Sequence, residues 1–204
     1  MRLPLLAILA SCAVLVYTGA TPAQEASALL IEDIQAGRAL KDSLLRHGAD
    51  SPIPQTERAV FAGLNYFSVD LAYRIAGQMH IYGRRQQIQL PNTGDSFTPV
   101  ERWGRFVGEL AGTPFWLEIY RSGDSDELVI FYTDPTNGEE SYGGGRYVAL
   151  QRQEDGGYVL DFNLSYNPYC VYNTDYICPI PPAHNRMPMA IRAGEMGYKG
   201  ELAH

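Results

Sequence analysis

Apolar residues follow three successive patterns along this chain: an unbroken run, a helical period and then a period of two. The run extends from Leu3 to Tyr17 and is interrupted only by Pro4, Ser11 and Cys12. Between residues 25 and 47, Ala28, Leu29, Ile31, Ile34, Ala39, Leu40, Leu44 and Leu45 form the stripe of an amphipathic helix. Glu32, Asp33, Arg38, Lys41 and Asp42 fall largely off that stripe. Gly48 and Ser51-Pro52 end the helix. A connector then leads through Phe61-Ala-Gly-Leu-Asn-Tyr-Phe67, whose aromatics are expected on the core.

From Ala72 onward the alternation predicts strands over 72–81, 86–90, 103–110, 114–121, 127–133, 146–152, 157–163 and 187–193. Turn residues at Gly83-Arg84, Gly112-Thr113, Ser122-Gly-Asp124 and Asp155-Gly-Gly157 separate most of them. Spacings are short and no helical pattern intervenes. The expected fold is mainly β: an antiparallel meander closing into a barrel or sandwich, preceded by one N-terminal helix. Pro179, Pro181, Pro182 and Pro188 keep the approach to the last strand extended. No repeat or linker divides the chain, so residues 24–204 read as a single domain with its β part over about 60–195.

Met1-Arg2, the apolar run and the small residues Thr18 to Ala23 describe a secretory signal peptide over residues 1–23. The run is short for a bilayer span, so no transmembrane segment is expected in the mature chain. A periplasmic or extracellular location follows. Leu9-Ala-Ser-Cys12 also matches a lipoprotein cleavage pattern, which makes a lipid anchor at Cys12 the minor alternative. The formal charge is −7, and loss of the first 23 residues removes one Arg and no acid. An acidic chain without a Lys/Arg cluster excludes nucleic acid and anionic lipid surfaces as natural partners. Two cysteines remain, Cys170 and Cys178. In an oxidising compartment an even pair reads as a disulfide. The bond would close a loop worth about 2 kcal/mol on the chain-entropy argument, and the gap fits neither a Cys-x-x-Cys motif nor zinc spacing.

The chemistry-bearing residues concentrate between Asp134 and Asn185. No catalytic, phosphate-binding or dinucleotide-binding signature is present, and neither a cofactor nor a metal is implied. Asp134-Pro-Thr-Asn-Gly138 reads as a turn with an Asx-type bond rather than a calcium loop. Glu139, Glu140, Asp161 and Asp175 offer carboxylates for acid/base work, and Arg146 offers a planar fork for an anionic group. The structural counterpart is that Glu140 or Asp161 pairs with Arg146. Five tyrosines, Tyr158, Tyr166, Tyr169, Tyr172 and Tyr176, provide stacking faces and hydroxyls for a ligand, or else pack around the cysteine loop.

Several of these residues carry a family resemblance. Asp134-x-Thr136-x-Gly138-x-Glu140-Ser-Tyr142-x-x-Gly145-Arg146-Tyr147 is followed by Leu160-Asp161-Phe-Asn163 and Tyr166-Asn167-Pro168-Tyr-Cys170. Cys178-Pro-x-Pro-Pro-x-x-Asn185 completes the set. Together with Lys41-Asp42, Ser51-Pro52 and Phe61-x-Gly63-Leu64-x-Tyr66-Phe67, they resemble a bacterial family catalogued as domain of unknown function 1684. Its members look like secreted proteins or lipoproteins, and the resemblance brings no activity. Ser141 stands where that pattern has Thr, and His184 where it has Glu.

The reading that follows is an exported protein binding a small polar or anionic ligand, leaning away from an enzyme. The expected site is Glu140, Tyr142, Arg146, Asp161, Asn163, Asn167 and His184, with Arg146 as anchor, Asn163 and Asn167 orienting and Tyr142 covering an apolar part. One alternative is an envelope hydrolase acting on glycan or cell-wall material through Glu140 and Asp161. Another is a structural envelope protein.

Overall fold

The computed structural model describes residues 20–123 and 125–198. Cys12 and residues 1–19 of the expected signal segment lie outside them. Thr21 caps helix α1 (Pro22–His47): its hydroxyl accepts from the Gln24 amide while the Gln24 side chain accepts from the Thr21 amide. That reciprocal pair satisfies two otherwise orphaned donors. No helix among the described residues is long and apolar enough to cross a membrane.

The face by which α1 docks coincides only in part with the expected stripe. Leu29, Leu40 and Leu44 are exposed, and only Ile34 and Leu45 are buried. Arg38, Lys41 and Asp42 supply the rest of the contact. Arg38 donates to the carbonyls of Phe67 at 2.8 Å and Asn163 at 3.1 Å. Lys41 pairs with Glu195 at 2.5 Å, and Asp42 accepts from the Leu64 amide and the Tyr66 hydroxyl. These residues recur at the helical spacing; the helix is held by charge-assisted bonds to backbone as much as by apolar burial. A short helix α2 (Gln55–Arg58) follows. Arg58 closes the turn between the helices by donating to the carbonyls of Gly48, Ser51 and Ile53.

The β part has eight strands: β1 (Arg74–Ala76), β2 (Gln78–Pro91), β3 (Phe97–Leu110), β4 (Thr113–Ser122), β5 (Leu128–Tyr132), β6 (Arg146–Ala149), β7 (Gln151–Arg152) and β8 (Tyr158–Asp161). Strands β2 to β6 form a five-stranded meander in chain order, and β1, β8 and β7 form a second sheet; every pairing is antiparallel. Neither sheet closes into the barrel that the alternation allowed. Both contribute to one core: Ile75 and Leu160 meet Phe106, Leu117, Ile119, Ile130 and Val148.

The boundaries differ from the sequence expectation in several places: β3 begins at Phe97, and the stretches expected as strands 72–81 and 146–152 each divide between the two sheets. The turn expected at Gly83-Arg84 is a bulge: β2 continues through it, and four residues between Ile81 and Gln86 oppose one on β3. The long partner strand carries β2 past the polar residues. The strand expected over 187–193 is not one. Met187, Ile191 and Ala193 are fully buried and alternate with exposed Pro188 and Arg192, yet no ladder forms there. Pro188 has no N–H to give. The carbonyls of Ile191, Ala193 and Glu195 are satisfied instead by the guanidinium of Arg146, and the Ile191 amide by Asp134 Oδ1. Gly194, at φ +78°, lets this segment pass against Ser165 and Phe162, where a Cβ would stand 2.6 Å from the Ser165 carbonyl oxygen.

Candidate functional site

The structure distributes the seven sequence-predicted residues over separate networks. Arg146 is fully buried and paired with Asp134 at 2.9 Å, not with Glu140 or Asp161. Asp134 also makes the expected Asx turn, accepting from the Thr136 amide at 2.9 Å. Asp161, also fully buried, accepts from Arg74 and from both the amide and side chain of Asn163. Asn163 in turn brackets the backbone of Asp70. Asn167 donates its amide to Glu195 and its side chain to the Met196 carbonyl. Tyr142 packs with Leu45, Ile53, Phe61 and Tyr172 in a satellite core, and burial pushes its phenol up to about 12. Glu140 lies at the surface, paired with Arg192 at 2.8 Å. Glu140 and Asp161 therefore do not present a pair of carboxylates to one cleft.

His184 is the most exposed of the seven, at 45 % side-chain exposure. It caps a network that sequence reasoning missed, centred on Glu118 of β4. The Glu118 side chain is almost wholly excluded from solvent. Its Oε1 accepts from Tyr82 at 2.9 Å and from Arg102 at 3.0 and 2.5 Å. Its Oε2 accepts from Tyr120 at 2.7 Å and faces His184 Nε2 at 3.0 Å. Tyr120 uses its one O–H on Glu118, so His184 Nε2 carries the hydrogen that Glu118 and the Tyr120 oxygen accept. Burial by itself would raise the Glu118 pKa; the bonds from Arg102, Tyr120 and Tyr82 outweigh it and hold the carboxyl below its usual range. Asn185 ties the same backbone down, accepting from the Glu118 amide and donating to the Glu118 and Phe131 carbonyls. The available sequence signal was a lone acid inside Phe115-Trp-Leu-Glu118-Ile-Tyr120.

A cavity opens on the face of the five-stranded sheet opposite the shared core. It has a volume of about 560 Å³. Thr98, Ser122, Val129, Phe131 and Tyr147 form its floor, and Tyr166, Tyr169, Tyr176, Ile177 and Cys178 its walls, with Lys41 and Glu127 also lining it. Cross-strand pairing explains the floor: Tyr147 stands opposite Phe131 in the register of β5 and β6, and the two rings meet edge to face at 4.6 Å. The Tyr147 hydroxyl donates to the Pro179 carbonyl and so ties wall to floor. Tyr169 and Tyr176 are T-stacked at 5.5 Å and remain partly exposed. Burial pushes the phenols of Tyr147 and Tyr166 upward, so both stay protonated, with the Tyr147 O–H committed to Pro179.

Cys170 and Cys178 are free thiols in the structure. The Cys170 amide donates to Cys178 Sγ at 3.2 Å. The Cys170 thiol, hydrogen-bonded to Cys178 and buried, is pushed up; the same bond lowers Cys178 to about 7. Among the described residues no group of three or more His, Cys, Asp or Glu side chains could hold a metal.

An open two-sheet β domain with a docked helix and a tyrosine-walled cleft defines the class. The chain belongs to the family described as Protein of unknown function (DUF1684), whose model matches residues 59–196. It is similar to the solution NMR structure of an uncharacterized protein of Haloarcula marismortui, at 33% sequence identity and a TM-score of 0.65, over 84% of this chain and 96% of that one. No curated protein matches the chain.

Proposed function

We propose that this is an exported protein that binds a small polar ligand in the tyrosine-walled cleft, with Cys170 and Cys178 joined as a disulfide in the oxidising compartment. The observation that carries the reading is the cleft itself. A cavity of about 560 Å³ lies within the range of small-molecule sites. Its walls come from the same 134–185 block that concentrates the chain's polar residues. Apolar ring faces supply the contact area, neutral phenols supply donors, and Lys41 and Glu127 set the polarity of the rim. Tyrosine lends itself to this use because it offers a large face at little rotamer entropy.

Native mass spectrometry of the protein purified from its own host, unreduced, tests both parts. The expected result is an added mass that disappears in the Tyr169→Ala/Tyr176→Ala double variant while the melting temperature changes little. The polypeptide itself should be two hydrogens light. A bare polypeptide from the host, together with no stabilisation by any compound in a small-molecule thermal-shift panel, would overturn the binding reading and favour a structural envelope protein. An unshifted cysteine mass would remove the disulfide and with it one support for export.

A further inference from the structure

The sheet face that floors the tyrosine cleft continues beyond the Glu118 network to a second depression of about 450 Å³. Its lining is His80 of β2, Arg105 and Val107 of β3, and Pro114, Phe115 and Trp116 of β4. Register places the key groups side by side: His80 opposite Arg105, Arg105 opposite Glu118, and Val107 opposite Trp116. His80 and Arg105 are exposed, and Trp116 is 43% exposed.

Three features set this depression apart from an ordinary surface aromatic. First, Trp116 is backed by His184, whose ring stacks on it at 5.9 Å and 17°, and His184 is itself held by Glu118 and Tyr120. The indole therefore sits on a support fixed from the side-chain network and, through Asn185, from the backbone of the same strand. Second, Arg105 stands over the Trp116 ring at 5.9 Å with no acidic hydrogen-bond partner among the described residues. Third, the carboxylate directly opposite Arg105 in the register, Glu118, is buried and already engaged by Arg102. Glu109 is farther along, opposite Pro114 at the hairpin end of β3. A patch with two imidazoles, a guanidinium and a flat ring thus stands on a chain whose formal charge is −7.

We infer that the Trp116–Arg105–His80 depression is a second binding site, for a flat apolar group bearing an anion, such as an aryl carboxylate. The ring of the ligand lies against Trp116 and Val107, and its carboxylate faces the fork of Arg105, which takes two oxygens at once. His80 supplies a further donor. This site is independent of the tyrosine cleft, since none of its lining residues borders that cavity.

The chain's only two tryptophans are Trp103 and Trp116, so its NMR spectrum contains just two indole N–H signals. Trp103→Phe assigns them. Titration of the full protein with benzoate, and with benzyl alcohol as the neutral counterpart, is followed at the Trp116 signal. The expected result is a saturable shift with benzoate that is weaker by about fivefold or more for benzyl alcohol and in Arg105→Gln. Tyr169→Ala/Tyr176→Ala leaves the benzoate titration unchanged, which separates this site from the cleft. Absence of a saturable shift overturns the inference. So does equal binding of the alcohol, or a benzoate affinity indifferent to Arg105→Gln. Trp116→Leu, read by the backbone amide of Val107, abolishes binding if the ring is the platform; retention of binding there equally refutes it.

Discussion

Asp134 and Arg146 form an ion pair of 2.9 Å in which neither side chain touches solvent. Around that pair the two side chains do the work of a neighbouring strand. Asp134 accepts the Ile191 amide, and Arg146 donates to the carbonyls of Ile191, Ala193 and Glu195. A buried backbone needs such partners. The C-terminal segment thus lies in the core without belonging to a sheet.

Arg146→Ala should accordingly destabilise the fold. It removes one member of a buried pair and strands three carbonyls, a change that costs about 3–5 kcal/mol where a buried pair is broken. Arg146→Lys should recover little, because an ammonium cannot span the separate acceptors that the guanidinium fork reaches. Urea denaturation of the three proteins measures this. A loss below about 1 kcal/mol for Arg146→Ala would show that water or relaxation replaces the network.

Glu118 should make stability depend on pH. Its folded pKa lies below the usual Glu value despite burial, because Arg102, Tyr120 and Tyr82 bond the ionised form. A depressed folded value means the stabilisation is complete above the unfolded pKa of about 4.3 and disappears as the pH falls through the folded value. Glu118→Gln should lower the melting temperature at pH 7, and its gap from the wild type should narrow below about pH 4.3. Melting curves from pH 3 to 7 test this; a gap that stays constant over the whole range would contradict it.

The reduced protein should distinguish its two thiols. Cys178, lowered to about 7 by the bond from Cys170, lines the tyrosine cleft. Cys170 is held protonated. Thiolate is the reactive form, so at pH 8 iodoacetamide should label Cys178 first, despite its greater burial. Peptide mapping of partially alkylated protein reads the order. Preferential labelling of Cys170 would mean that exposure, rather than the thiol–thiol bond, governs reactivity.

The legible parts of this protein share one property: their causes are local. The amphipathic spacing and Gly48 define the body and end of α1 within a few residues of where they act, whereas its start at Thr21-Pro22 falls inside the stretch expected as a signal peptide. The alternation from Ala72 onward predicted antiparallel strands because cross-strand burial has a period of two, and Asp134 announced its own turn. The family motifs over the C-terminal third were likewise visible as runs of particular residues.

What the tertiary structure decided depends on which distant chain passes by. Arg38, Lys41 and Asp42 are polar in any window, yet they face inward because Phe67, Asn163, Glu195 and Leu64 offer them partners. Residues 187–193 alternate like a strand, but Arg146 and Asp134 take the place of a ladder. Arg146 and His184 read alike as candidate ligand groups; one is sealed in the core and the other stands at the surface on Glu118, 66 residues away in sequence. The sequence by itself determined the helix, most strand positions and the block from which the cleft is built. Only the folded chain decided that the sheets stay open and that most charges of the block bind the protein to itself. A buried charge selects its partner by proximity and desolvation, and neither is a property of neighbouring residues along the chain.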